Sequence, residues 1–290
     1  MGTTKKITVP QLLSRKHKGR KIVMVTAYDA TFARLVDQGG ADMVLVGDSL
    51  GMVVQGHDNT LPVTLDDIVY HCRAVSRGLA RAHLCADMPF MSYKISAEQA
   101  LASAARVVQD GRAESVKLEG GVEIAETVSR LVRAGIPVVG HVGLTPQSVH
   151  ALGGFRMQGR TGFDRERLIE DARAVADAGA FCLVLESMPL ELAQAITDEV
   201  SVPTIGIGAG PHCDGQVLVI YDLLGLDESF SPRFLKRYAH LGASVREAVA
   251  SYADEVRRSA FPGPEHSTSV ADGEPGDGGL YGGANKDVSH

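Results

Sequence analysis

From residue 43 the chain runs Met-Val-Leu-Val, four apolar positions in a row, and then breaks at Gly47 into Asp48 and Ser49. A continuous apolar run this short reads as a strand buried on both faces, as in a parallel sheet covered by helices. The same figure recurs, and it predicts strands over 21–27, 43–47, 83–87, 115–119, 137–141, 181–186, 203–208 and 217–221. Between them apolar positions return every three or four residues, which predicts helices over 29–38, 65–78, 97–109, 120–134, 165–178 and 190–200. Helix boundaries carry their usual signals. Thr64 precedes Asp66 and Asp67, Ser96 precedes an alanine-rich stretch, and Gly39 and Gly40 close the first helix after a strand. Thr8 is placed to cap a short lead-in helix that ends in the basic SRKHKGR. Helices over 232–241 and 245–258 are expected to follow the last strand.

Strand and helix alternating at this spacing favour a single α/β domain of the (β/α)8 TIM-barrel type over an open sheet. The expected division is a lead-in helix over 1–20, a barrel over 21–261 and a tail over 262–290. That tail is rich in Gly, Pro, Ser, Asp and Glu, a composition expected to be disordered. Gly206, Gly208 and Gly210 lack the Lys-Ser/Thr of a phosphate loop, so close backbone approach at the barrel mouth accounts for them better.

With 44% hydrophobic and 22% charged residues over 290 positions, the composition is that of a globular protein with a large core. A net charge of -6 gives no electrostatic case for a nucleic-acid or anionic-membrane partner, and leaves small polar substrates open. No run approaches the roughly 18 apolar residues of a membrane helix, and the first 20 residues lack the apolar core of a signal peptide, so a cytoplasmic location is expected. Cys72, Cys85, Cys182 and Cys213 are widely spaced with no C-x-x-C pair, which argues against a structural zinc site or a disulfide framework.

Side chains alternate faces along a strand, so residues two apart point the same way. This groups Val44, Val46 and Asp48; Cys85 and Asp87; Lys117 and Glu119; Val139 and His141; and Cys182, Val184 and Glu186. If those faces point inward, Asp48, Asp87, Lys117, Glu119, His141 and Glu186 converge on the rim where barrel enzymes bind ligands. Four carboxylates against one lysine leave a negative excess, and oxygen donors without clustered Cys or His suit a hard ion such as Mg²⁺. Asp48 and Asp87 are then direct ligands, with Glu119 reaching the ion directly or through water. The alternative is that these acids pair with Arg or Lys for structural reasons. Lys117 either holds a substrate carboxylate or neutralises Glu119, and a third role as a Schiff-base lysine is disfavoured by the acids that keep it protonated. Glu186 is either a partly desolvated general base or a rim ion pair. His141 is either a catalytic or a hydrogen-bonded structural residue.

Specific motifs go further. TAYD at 26–29, LVGDSLGMVVQGHDNTLPVT at 45–64, ADMPFMSY at 86–93, VKLEGG at 116–121, GHVGLTPQS at 140–148, GG-x-x-x-QGR at 153–160, LVLES at 183–187 and IGIGAG at 205–210 occur in that order. The chain thereby resembles the 3-methyl-2-oxobutanoate (ketopantoate) hydroxymethyltransferase family from about residue 8 to 266. The resemblance implies a (β/α)8 barrel, Mg²⁺ dependence and a homodecamer in the cytoplasm. It also implies transfer of a hydroxymethyl group from 5,10-methylenetetrahydrofolate to 3-methyl-2-oxobutanoate, through a Mg²⁺-stabilised enolate, on the route to pantothenate and coenzyme A. On matching positions it puts metal-binding acids at Asp48, Asp87 and Glu119, oxo-acid contacts at Asp48, Ser49, Asp87 and Lys117, and the proton acceptor at Glu186. His141 is assigned a hydrogen bond to the substrate or to a loop. The competing readings are a relative of isocitrate lyase or phosphoenolpyruvate mutase, although the lyase K-K-C-G-H signature is absent, and a catalytically silent barrel.

Overall fold

The computed structural model describes residues 5–268. Of the tail expected over 262–290, the part from residue 269 onward lies outside the described residues. The strands are β1 Ile22–Thr26, β2 Met43–Val46, β3 His83–Asp87, β4 Ser115–Glu119, β5 Val138–Gly143, β6 Cys182–Glu186, β7 Thr204–Ile207 and β8 Gly215–Leu218. They form a closed barrel in chain order, β8 pairing back onto β1, and every ladder is parallel. The helices are α1 Val9–His17, α2 Ala30–Gln38, α3 Leu50–Val53, α4 Leu65–Ser76, α5 Ala97–Gln109, α6 Ala125–Arg133, α7 Gly162–Asp177, α8 Leu190–Glu199, α9 Ile220–Leu223 and α10 Leu241–Arg257. The fold is the (β/α)8 TIM barrel.

Local signals set the helix starts. The Asp29 carboxylate accepts from the Phe32 N–H at 2.8 Å, and the Ser96 hydroxyl from the Gln99 N–H at 3.2 Å. Thr64 and Asp67 cap α4 reciprocally, through Asp67 Oδ2 on the Thr64 N–H at 2.9 Å and Thr64 Oγ1 on the Asp67 N–H at 3.2 Å.

Strand parity then builds two cores. Ile22, Met24, Met43, Leu45, Cys85, Val139, Cys182, Val184, Ile205 and Val217 fill the barrel interior. The alternate positions, among them Val44, Val46, Leu84, Ala86, Val116, Leu118, Val138, Leu183 and Leu185, pack outward against the helices. Gly140 sits in that outer layer, where an added Cβ would meet Val175 Cγ1 and, at 2.7 Å, Leu183 Cδ2. Gly140→Ala is expected to destabilise by about 1–3 kcal/mol through overpacking, read as a lower urea midpoint with unchanged slope.

The structure corrects three predicted elements. β8 lies earlier than the expected 217–221, because it opens on Gly215, whose Cα passes so close to Ile22 that any Cβ would strike the Ile22 carbonyl oxygen. The helix expected over 232–241 does not form: 232–240 is non-helical, and Leu241 instead begins α10. There the Tyr238 N–H leaves the local chain to donate to the Leu223 carbonyl at 2.8 Å, and the Arg237 guanidinium binds the Phe230 carbonyl at 2.7 Å. Finally, Val44 and Val46 face outward, so Asp48 does not reach the interior by alternation from them. β2 ends at Val46 and a turn takes over, with the Gly47 and Asp48 carbonyls accepting from the Leu50 and Gly51 N–H groups at 3.0 and 2.9 Å. That turn re-aims Asp48.

The chain divides into two compact units, one ending at Ala239 and the other beginning at His240. The second consists, among the described residues, of α10 and a short 3-10 turn, Pro264–His266. Among the described residues no helix is long and apolar enough to cross a membrane. All four cysteines are free and buried.

Candidate active site

The barrel ladder delivers the charged side chains to one rim. Asp87 ends β3 opposite Lys117 of β4, Glu119 ends β4 opposite His141 of β5, and Glu186 ends β6. Asp48 joins them from the turn after β2 by donating its N–H to Asp87 Oδ2 at 2.9 Å. Lys117 Nζ lies 2.6 Å from Asp87 Oδ1, 3.1 Å from His141 Nδ1 and 3.9 Å from Glu119 Oε1. His141 Nε2 in turn lies 3.2 Å from Glu186 Oε2. Asp48, Asp87, Lys117, Glu119 and His141 are all buried, whereas the Glu186 side chain is 22% exposed and so stands at the mouth. Ser49, also expected here, is half-buried with its hydroxyl 2.8 Å from that of Tyr28.

Burial and repulsion set the proton affinities. Burial, then the negative charges of Asp87 and Glu119, push the Asp48 carboxyl well above its usual range. Burial also raises Asp87, with Lys117 acting against it. At Glu119 burial is outweighed by the adjacent His141 ring, by the Lys117 charge and by the Gln147 N–H, so its carboxyl is lowered. Lys117 is raised, because the three acids overcome its burial. Burial and the Lys117 ammonium depress His141, but Glu119 and Glu186 prevail and lift it to about 9.

In the neutral ring, Nδ1 accepts from Lys117 and Nε2–H faces Glu186; in the imidazolium, Nδ1–H faces Glu119 Oε1 at 3.5 Å. Either way Nε2 lies beside Glu186 Oε2, 3.2 Å away and without a hydrogen bond between them. A folded-state value raised to about 9 means that the proton stabilises the fold fully below the ordinary imidazole range and that this is lost as pH rises through about 9. In EDTA, the unfolding temperature is expected to fall from neutral pH to above 9 more steeply in the wild type than in His141→Gln. Parallel pH profiles would show that the ring holds no such proton.

The three acids expected to share an ion do not form a ready-made three-ligand group. Among the described residues, no three Asp, Glu, His or Cys side chains are disposed around one metal position. Lys117 sits between Asp87 and Glu119, and Gln147 between Asp48 and Glu119. The donor set nevertheless fits Mg²⁺, which typically takes one or two carboxylates and completes its shell with water and substrate oxygens. Asp48 and Asp87 would be the two. Glu119 Oε1 is buried without a hydrogen bond, an acceptor free for a coordinated water.

Sequence reasoning passed over three further residues. Gln147, Tyr93 and Tyr28 are buried at this rim, and each lies inside a quoted motif, but an amide or phenol carries no charge to single it out. A cleft of about 1220 Å³ adjoins the mouth through Ser187 and Gly208; Met157, Leu190, Phe234 and Tyr238 line it, and the acid cluster does not.

A closed parallel barrel with buried acids, a lysine and a histidine gathered at its strands' carboxyl ends has the build of a TIM-barrel enzyme. The profile of the ketopantoate hydroxymethyltransferase family matches residues 6–264. The chain belongs to that family. Relatives named 3-methyl-2-oxobutanoate hydroxymethyltransferase include one from Anaeromyxobacter sp. (strain K), 58% identical with 91% of this chain and 87% of the relative covered. Another, from Pelobacter propionicus, is 56% identical and covers 91% of this chain and 97% of its own. Among solved structures, phosphonopyruvate hydrolase superposes with a TM-score of 0.59 at 14% identity, over 92% of this chain and 93% of that one. A 2,3-dimethylmalate lyase gives 0.55 at 18%, over 94% of each. At such identities the likeness concerns the fold alone.

Proposed function

We propose that the protein transfers a hydroxymethyl group from 5,10-methylenetetrahydrofolate to 3-methyl-2-oxobutanoate, forming 2-dehydropantoate (ketopantoate) for pantothenate and coenzyme A synthesis. Family membership supports the hydroxymethyl transfer, and the observation that carries the chemistry is Glu186. It is the partly exposed member of an otherwise buried charged cluster, with the His141 ring beside its carboxylate at 3.2 Å. Such a carboxylate can meet a substrate carbon while the groups behind it stay fixed.

Asp48 and Asp87 would hold Mg²⁺, with Glu119 reaching its water shell. When bound, the ion supplies Lewis acidity to a ketone oxygen, which acidifies the neighbouring carbon. Ser49 and Lys117 orient the oxo acid, Lys117 as a point charge already anchored on Asp87 at 2.6 Å. Glu186 removes the C3 proton, with the His141 ring 3.2 Å behind the receiving carboxylate. C3 then becomes bonded to the one-carbon unit and water supplies its hydroxyl: one C–C and one C–O bond form, both C–N bonds to the folate break, and the two folate nitrogens take up the C3 proton and one proton of the water. Burial of the cluster excludes water from the charges that develop. The same reading places the enzyme in the cytoplasm as a homodecamer acting on two small molecules.

The test is consumption of 3-methyl-2-oxobutanoate with each component withheld in turn. Ketopantoate is expected only when methylenetetrahydrofolate and Mg²⁺ are both present. Oxo-acid turnover without folate would favour a carbon–carbon lyase or mutase activity instead.

A further inference from the structure

Gln147 lies in the long loop after β5, in a 3-10 turn, Pro146–Ser148, yet only 3% of it is exposed. A buried amide in a loop needs partners, and this one has all of them. Nε2 donates to Asp48 Oδ2 at 2.9 Å and to the Met88 carbonyl at 3.0 Å, while Oε1 accepts from the Tyr93 hydroxyl at 2.8 Å. Those partners fix which way the amide faces, because turning it over would set its oxygen against a carboxylate and a carbonyl. Its main-chain N–H donates to Glu119 Oε2 at 3.0 Å. One residue therefore grips an oxygen of Asp48 and an oxygen of Glu119.

Tyr93 completes a ring. Its hydroxyl accepts from the Glu119 N–H at 3.0 Å, and its single proton is shared between Gln147 Oε1 and the Glu119 carbonyl, 2.9 Å away. Among the described residues no other side chain donates to the Asp48 carboxylate. With Oδ2 taken by the amide, Oδ1 is the oxygen left without a hydrogen bond. Without Gln147 the Asp48 side chain would be free to turn toward Lys117, the one ammonium in the cluster, and away from a shared ion.

We infer that Gln147 is a positioning residue, which with Tyr93 behind it holds Asp48 and Glu119 in the arrangement that Mg²⁺ binding requires. This rests on the Mg²⁺ reading above. It assigns the loop after β5 a part in assembling the ion site, although the loop contributes no ligand. Partners of this kind typically matter 10- to 100-fold for metal affinity.

Calorimetric titration of full-length protein with MgCl₂ tests it, substrate-free, for wild type, Gln147→Leu, Tyr93→Phe and the double variant. Gln147→Leu should bind Mg²⁺ about 10- to 100-fold more weakly, and Tyr93→Phe should lose less. The double variant should lose less than the two single losses added together, because Tyr93 acts partly through the same amide. A merely structural role would lower the melting temperature and leave the affinity of the folded variants unchanged. Wild-type affinity in folded Gln147→Leu overturns the inference, as it does in Tyr93→Phe should the leucine variant not fold. A wild type that binds no Mg²⁺ overturns the metal reading as well.

Discussion

Glu186→Gln lowers kcat by about 10²- to 10⁴-fold, the usual contribution of a positioned general base, and leaves Mg²⁺ affinity near that of wild type. The reasoning is geometric. Glu186 stands at the mouth on β6 and lies 3.2 Å from His141 Nε2, and among the described residues it forms no hydrogen bond or ion pair with Asp48 or Asp87. Glutamine keeps the size and one acceptor oxygen, so it preserves the contact with the ring while removing the basic site. Steady-state kinetics with a parallel Mg²⁺ titration read both quantities. An equal loss of ion affinity and turnover would move Glu186 from proton transfer to the ion site.

Asp48→Asn should act in the opposite order. It removes one of the two carboxylates offered to the ion, so Mg²⁺ binding falls first and turnover follows by roughly 10²-fold or more, the scale of a lost Lewis acid. Stability should rise. Burial and the neighbouring Asp87 and Glu119 charges hold the Asp48 carboxyl well above its normal range, so its ionised form opposes folding at neutral pH. Asparagine carries no charge and can still accept from Gln147. The expected pairing is an inactive variant with a higher melting temperature in EDTA than wild type, a trade of stability against activity. A lower melting temperature would mean that the charge cluster stabilises the fold.

Much of this was legible in the chain because a buried parallel strand writes itself as a short apolar run, and because alternation carries polar residues to the strand's end. Asp87, Lys117, Glu119, His141 and Glu186 follow that rule directly. Asp48 arrives by a different route, since the chain leaves β2 at Val46 and turns before reaching it. β8 starts before its apolar run because its first residue, Gly215, is small for a steric reason that only its neighbour Ile22 reveals. The 232–240 stretch has helical spacing, but its Tyr238 N–H goes to the distant Leu223 carbonyl, a choice set by tertiary packing. Gln147 was passed over for a related reason. An amide gains its role from what it bridges, and the residues that it bridges lie on β2's exit turn, β3's end and β4.

Hydrogen exchange at C3 of 3-methyl-2-oxobutanoate, followed by NMR in D₂O without any folate, bears most directly on proton removal by Glu186 beside an ion held on Asp48 and Asp87. Wild-type enzyme with Mg²⁺ should wash deuterium into C3, while EDTA, Asp48→Asn and Glu186→Gln should each suppress it. Exchange that persists at the wild-type rate in EDTA or in Glu186→Gln would contradict this chemistry.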